Sequence, residues 1–138
     1  MSNAISAKNK PVEIKLDDKT VKIRFTLNSF IELEEIYGSI EKAMDALQGD
    51  IVIDEKTGKP VMIPDPDDNT KKIEQRTVNF KHVRNMLWAG MLPDNPDITP
   101  TQAGNLLDFV NIKDAVQKVM EAFRNSIPEK VGEADLKN

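Results

Sequence analysis

The 138-residue sequence carries 19 basic and 23 acidic side chains, a net charge of −4, and no cysteine. The charge argues against nucleic-acid binding, which needs a basic face, and the lack of cysteine excludes disulfides and thiolate metal sites. The single histidine, His82, excludes sites built from several histidines, and no apolar run reaches the roughly 20 residues that span a bilayer. We therefore expect a cytoplasmic protein without a signal peptide or membrane span.

The N-terminal region predicts a β-hairpin followed by a helix. Residues 1–11 are polar and are expected to form a disordered arm. Apolar and charged residues then alternate in two runs between Val12 and Phe25, joined by Asp17-Asp18-Lys19-Thr20, which indicates an antiparallel hairpin with one apolar face. Thr26 caps a first helix over Leu27 to Tyr37, whose wide apolar band is expected to cover the hairpin. That band comprises Leu27, Phe30, Ile31, Leu33, Ile36 and Tyr37.

A second short helix and an insertion follow. Ser39 is a helix cap and Gly49 a helix stop, and residues 50–76 are then a loop or a small hairpin inserted in the domain. Three oxygen-bearing side chains of this insertion imitate the start of a calcium loop, namely Asp65, Asp67 and Asn69. Thr70 stands where such a loop needs glycine, and Arg76 where it needs glutamate. A mobile, solvated insertion without a metal ion is therefore the prediction.

A third helix is predicted to start near Asn79. One stripe along it is apolar and should be buried, and it consists of Phe80, Val83, Leu87 and Met91. Met86 and Trp88 fall on opposite flanks of this stripe, and His82 falls off it, where we expect a solvated side chain. The only tryptophan, Trp88, either closes the edge of the core or is a partly exposed anchor for a partner.

Two more helices complete the pattern. Thr99, Pro100 and Gln102 form a capping-box start for a fourth helix, whose buried face should contain Ala103, Leu106, Leu107 and Val110. Asn111 is expected to cap a fifth helix that ends at Pro128, before a charged tail over residues 129–138 that is expected to be disordered. The apolar face of the fifth helix comprises Ile112, Ala115, Val116, Val119, Met120 and Phe123.

The predicted fold is α+β, with an N-terminal antiparallel hairpin packed on about five helices in one domain over residues 12–128. The core should include Ile23, Phe25, Phe30, Leu33, Met44, Val83, Leu87, Leu106, Val116 and Met120. The sequence contains no glycine-rich phosphate loop, no nucleophile elbow and no carboxylate pair in an apolar context. We therefore predict no catalytic, cofactor-binding or metal-binding residue.

Three stretches resemble the tail assembly chaperones of long-tailed bacteriophages and gene transfer agents. They are VKIRFTLNSFIELEEIYGSIEKAMDAL (Val21 to Leu47), NMLWAGML (Asn85 to Leu92) and PDNPDITPTQAGNLLD (Pro93 to Asp108). They reproduce the family's hairpin entry, its Leu-Glu-Glu helix with a Gly-Ser break, its Leu-Trp-Ala-Gly helix and its threonine-started helix. The insertion over residues 50–76 departs from the compact family pattern.

The resemblance implies a non-enzymatic protein that acts in the host cytoplasm and is absent from the finished virion. Its partners would be the tape measure protein and, in some members, the tail tube protein, which the chaperone keeps soluble until the tail polymerises. Because Ala89-Gly90 is small enough for close helix approach, we expect Trp88, Met91 and Leu92 to contribute to a groove for an apolar helix of the tape measure protein. Self-association remains open.

Two other classes of function fit the sequence. One is a small cytoplasmic adaptor or regulatory module unrelated to phage tails, and the other is an enzyme subunit whose active site lies at an interface. Gene neighbourhood distinguishes the adaptor from the chaperone, and a ligand-dependent rise in melting temperature would favour the enzyme subunit.

Overall fold

The computed structural model describes residues 10–127. Most of the predicted arm (residues 1–11), the predicted helix stop at Pro128 and the predicted tail (residues 129–138) lie outside the described residues. Within the described range the α+β class is confirmed, since an N-terminal antiparallel hairpin is followed by five helices, with short strands between the second and third of them.

The hairpin consists of β1 (Val12–Leu16) and β2 (Lys19–Ile23), paired antiparallel so that Leu16 lies opposite Lys19. The turn is therefore only Asp17-Asp18, two residues shorter than the predicted linker. Asp17 adopts a left-handed φ of 57°, which aspartate tolerates better than most residues. The alternating residues Val12, Ile14, Leu16, Val21 and Ile23 are all buried, so the predicted apolar face is confirmed.

The five helices are α1 (Leu27–Tyr37), α2 (Ile40–Gln48), α3 (Phe80–Met91), α4 (Pro100–Gly104) and α5 (Ile112–Ser126). Three of them begin at the caps that the sequence predicts. The side chains of Thr26, Ser39 and Thr99 each accept a hydrogen bond from the backbone N–H three residues later, at 3.4, 3.1 and 3.1 Å. These bonds satisfy N–H groups that the helix itself leaves without a partner.

Helix α3 lies at the centre of the domain, because it packs against β2 and all four other helices, while β1 packs against α5. Neighbours on several sides explain why Met86, predicted to lie on a flank, is fully buried together with Val83 and Leu87. The prediction that Phe80 is buried is wrong. Phe80 occupies the first position of α3 and is 53% exposed.

The small residues of α3 allow the hairpin to pack closely against this helix. Arg24 N–H donates to the carbonyl oxygen of Gly90 at 3.0 Å, and a Cβ atom at position 90 would lie 3.2 Å from both Ile23 Cβ and Phe25 Cζ. Ala89 and Gly90 are both buried. The expectation that these residues admit a helix of another protein is therefore wrong, since the space beside them is filled by this chain's own strand.

Half of the residues predicted for the core are fully buried, and the other half are only half-buried at its edges. Ile23, Phe25, Leu33, Val83 and Leu87 are fully buried, whereas Phe30, Met44, Leu106, Val116 and Met120 are half-buried against that core. The wide apolar band of α1 is wrong for three residues, because Leu27, Ile31 and Ile36 are exposed. Helix α1 is covered on one side only, and these side chains lie outside the covered sector.

The insertion is a set of short antiparallel pairings rather than a loop. β3 (Asp50–Ile51) pairs with β6 (Arg76–Thr77), β4 (Met62–Pro64) pairs with β5 (Lys72–Glu74), and Ile53 pairs with Pro60. Arg76 ties the base of the insertion to the end of α2. Its Nη1 donates to the Gly49 carbonyl oxygen at 2.9 Å and lies 3.3 Å from Asp45 Oδ1. The side chains of β4 and β5 are largely exposed, so the insertion adds little to the core.

Candidate functional site

The three residues predicted to bind a partner do not form one exposed surface. Met91 is buried in the core, which removes it from any surface. Trp88 is half-buried, and its indole Nε1–H donates to the carbonyl oxygen of Ile98 at 2.9 Å, so its ring closes the core beneath the loop that precedes α4. Leu92 is half-buried at the end of α3. A partner contact by Trp88 or Leu92 remains a prediction, without Met91.

His82 is half-buried and hydrogen-bonded, so the expectation of a solvated histidine is wrong. Its Nδ1 lies 2.8 Å from the hydroxyl of Tyr37, and that hydroxyl accepts a hydrogen bond from Asn85 Nδ2 at 3.2 Å. Arg84 Nε and Nη2 donate to Asn85 Oδ1 at 3.3 and 3.1 Å, which orients the amide. The four side chains form a chain of hydrogen bonds, from His82 through Tyr37 and Asn85 to Arg84, that joins α1 to α3.

Among residues 10–127, the most exposed large apolar side chains belong to the turn between α4 and α5. Phe109 is 85% exposed and Val110 is 91% exposed. The sequence assigned Val110 to the buried face of α4, which is wrong because that helix ends at Gly104 and half-buried Leu106 and Leu107 continue in turns. Exposing such side chains gains nothing for folding, so their presentation needs a separate explanation.

Reciprocal hydrogen bonds hold this turn. Asp108 Oδ1 accepts from the backbone N–H groups of Val110 and Asn111, both at 2.8 Å. Asn111 Oδ1 accepts from Asp108 N–H at 2.9 Å, and Asn111 Nδ2 donates to the Leu106 carbonyl oxygen at 3.0 Å. Asn111 therefore does not cap α5 with its side chain as predicted, but closes the turn instead. Phe109 and Val110 are thus held outward by a fixed backbone.

A groove of about 400 Å³ runs between this turn and the start of α3. We call it the aromatic groove, and its walls include Phe80, Lys81, Arg84, Leu107, Phe109 and Ile112. The rings of Phe80 and Phe109 meet edge to face, with their centroids 5.6 Å apart and planes at 78°. Two exposed aromatic rings in this arrangement offer a large apolar contact area at low conformational cost.

The charges around the aromatic groove are mixed, with a basic excess. Lys81 and Arg84 border it, and neither forms an ion pair within residues 10–127. Asp108 is the acidic group at the groove, and the N–H of Asn111 stabilises its anion and lowers the pKa of its carboxyl. A hydrogen bond with Asp108 raises the pKa of Asp17. Arg84 hydrogen-bonds the neutral amide of Asn85 and Lys81 forms no ion pair, so neither cation has an acidic partner within residues 10–127.

The sequence contained a signal for this site that periodicity obscured. Asp108 and Asn111 flank Phe109-Val110, and both are residue types that form turns through bonds from their side chains to nearby backbone. The helical spacing of Val110 relative to Ala103 and Leu107 favoured a longer helix instead. Phe80 gave a similar false match, since it stands three residues before Val83.

The described part of the chain offers no cluster of metal-binding side chains. Residues 10–127 contain no group of three or more histidine, cysteine, aspartate or glutamate side chains that could hold a metal ion, and Asp65 Oδ1 instead accepts from Asp67 N–H at 2.9 Å. No helix in the same range is long and apolar enough to cross a membrane. Comparison with known proteins adds no assignment, because no protein-family model, no curated protein and no solved structure matches this chain.

Proposed function

We propose that this protein is a non-enzymatic tail assembly chaperone that binds an apolar segment of the tape measure protein and keeps it soluble during tail assembly. The resemblance of Val21–Leu47, Asn85–Leu92 and Pro93–Asp108 to that family supplies the class of partner. Such a protein acts in the host cytoplasm and leaves before the virion is complete.

One observation carries the proposal, namely the turn that holds Phe109 and Val110 outward. A tape measure protein is long and helical, and its apolar stretches need a reversible cover before assembly. Phe109 and Val110 are 85% and 91% exposed, and the aromatic groove beside them is open to solvent. An apolar helix laid into this groove would bury these side chains, in the manner of helix-in-groove recognition.

The proposal relocates the predicted contact surface. Trp88 and Met91 are committed to the fold, through the bond to Ile98 and through burial. Phe109 and Phe80 meet each other at the rim of the groove and are free to pack against another chain. The expected anchors are therefore Phe109 and Phe80 rather than Trp88 and Met91.

Co-expression with the tape measure protein of the same tail gene cluster tests the proposal. We expect the wild type to raise the soluble fraction of the tape measure protein, and Phe109→Ser to lose this effect, because truncating an aromatic anchor costs about 2 kcal/mol of binding or more. The variant should fold normally by circular dichroism, since Phe109 lies outside the core.

The matched control is Leu27→Ser, which removes an equally apolar side chain that is 75% exposed on α1, away from the aromatic groove. This control should protect the tape measure protein as the wild type does. The proposal fails if the wild type leaves the tape measure protein insoluble. Equal loss in the two variants would instead assign protection to general surface hydrophobicity.

A further inference from the structure

The aromatic groove combines an apolar floor with an unpaired basic border. Lys81 is exposed and Arg84 is half-buried, and both stand on the same side of α3 as Phe80. The ion pairs of residues 10–127 are Arg24 with Asp94 and Arg76 with Asp45, and neither involves the groove. Two cations without acidic partners beside exposed aromatic rings provide charge complementarity for an acidic ligand.

We infer that the aromatic groove selects an amphipathic helical segment whose apolar side chains are bordered by glutamate or aspartate. The inference rests on the proposed function only in taking the groove as a protein-binding surface. Phe80 and Arg84 are one helical turn apart, so a ligand helix packed along α3 places an apolar residue on the rings and carboxylates beside Lys81 and Arg84.

The net charge of the whole protein works against a preference for acidic peptides. Such a preference would therefore indicate positive charges at the binding site itself. A chain with net charge −4 attracts basic peptides and repels acidic ones at long range. A preference for an acidic segment must therefore arise from cations at the binding site. Asp108 contributes one negative charge to the groove lining against the two positive charges of Lys81 and Arg84, so a basic excess remains.

Two synthetic helical peptides with the same leucine and phenylalanine stripe test the inference, one with glutamate at the bordering positions and one with lysine. Fluorescence anisotropy measures the affinity of each for the full chain. We expect the glutamate peptide to bind roughly fivefold more tightly, because two exposed ion pairs each add a small factor. Added salt should narrow the difference, since it screens exposed charges.

Single substitutions test which side chains of the protein cause the preference for the glutamate peptide. Lys81→Gln should reduce it without disturbing the fold, because Lys81 is exposed. Arg84→Gln should reduce it too, with the fold checked by circular dichroism because Arg84 also hydrogen-bonds Asn85. Lys22→Gln, on the exposed face of β2, is the matched control and should leave the preference intact. Phe109→Ser should weaken both peptides by roughly tenfold or more, as expected for an aromatic anchor.

The outcomes are distinct from those of the co-expression test. Equal affinities for the two peptides, no measurable binding of either, or a preference that survives in both Lys81→Gln and Arg84→Gln would each overturn the inference. Because the peptides contain no tail protein sequence, a preserved glutamate preference with an insoluble tape measure protein would refute only the proposed client. Protection of the tape measure protein without any glutamate preference would refute only the groove's selectivity.

Discussion

The hydroxyl of Tyr37 is the residue-scale feature with the clearest energetic consequence. It accepts from Asn85 Nδ2, and Asn85 is only 6% exposed, so no solvent replaces the bond if the hydroxyl is removed. We expect Tyr37→Phe to lower the free energy of unfolding by about 1–2 kcal/mol, because a buried amide donor loses its acceptor. Urea unfolding at neutral pH measures this, and an unchanged midpoint would show that the network carries no stability.

The same side chain predicts a pH dependence. Desolvation by burial raises the pKa of Tyr37, since the fold favours its neutral form. A raised pKa means that the stabilisation is complete below the ordinary tyrosine pKa and is lost as pH rises through the value in the folded protein. We expect wild-type stability to fall more steeply than that of Tyr37→Phe as the pH rises above about 10. Parallel pH profiles of the two proteins would contradict this.

At the scale of elements, the packing of α3 against β2 and against α4 predicts different outcomes for two glycines. Gly90→Ala should destabilise by about 1–2 kcal/mol, because overpacking against Ile23 and Phe25 exceeds the gain in helix propensity. At Gly104 the nearest atoms are Arg84 Cγ and Cδ at 3.0 Å, in the middle of a long side chain that can shift by a few tenths of an ångström while its guanidinium keeps the hydrogen bonds to Asn85. Gly104→Ala should therefore stay within about 0.5 kcal/mol of the wild type. Urea unfolding measures the free energy of unfolding of both variants. An increase for Gly90→Ala would contradict the prediction and show that β2 can shift to make room for the methyl group.

The residue at which a helix begins could be predicted from sequence better than the residue at which it ends or the side of it that is buried. Thr26, Ser39 and Thr99 cap by local bonds, and a local pattern of residues is sufficient to identify such bonds. The end of α4 could not be predicted from apolar spacing, because the side chains of Asp108 and Asn111 compete with the helix for backbone groups.

The exposed faces and the site depend on contacts that local sequence does not encode. The stripe of α1 repeats correctly, but which part of it is covered depends on where α2, α3 and α5 lie, so Leu27 and Ile31 were misassigned. For the same reason Met91 was placed in the partner surface. The aromatic groove joins two segments that are nearly thirty positions apart, Phe80 and Phe109, and no spacing rule connects them.

At the scale of the whole molecule, the insertion differs from the rest of the domain in how it is held. β4 and β5 have mostly exposed side chains, whereas α3 is buried along most of its length. Regions with few buried apolar contacts open locally at lower free energy than the core. We expect the amides of Met62, Ile63 and Lys72–Glu74 to exchange with deuterium much faster than those of α3. Equal protection in the two regions would mean that the insertion unfolds only with the core.

The contact between β1 and α5 has a consequence for the order of folding. The N–H of Phe25 donates to Ser126 Oγ at 3.3 Å across 101 positions of sequence, and the apolar face of β1 is covered by this distant helix. Closing so long a loop costs entropy before any contact compensates for it, so such contacts form slowly. The hairpin and the helices next to it can therefore assemble while the face of β1 is still uncovered. The protein proposed to shield the apolar surface of another therefore exposes the apolar face of its own β1 until α5 packs against it. Chain topology, rather than the stability of the folded state, sets how long that face stays exposed.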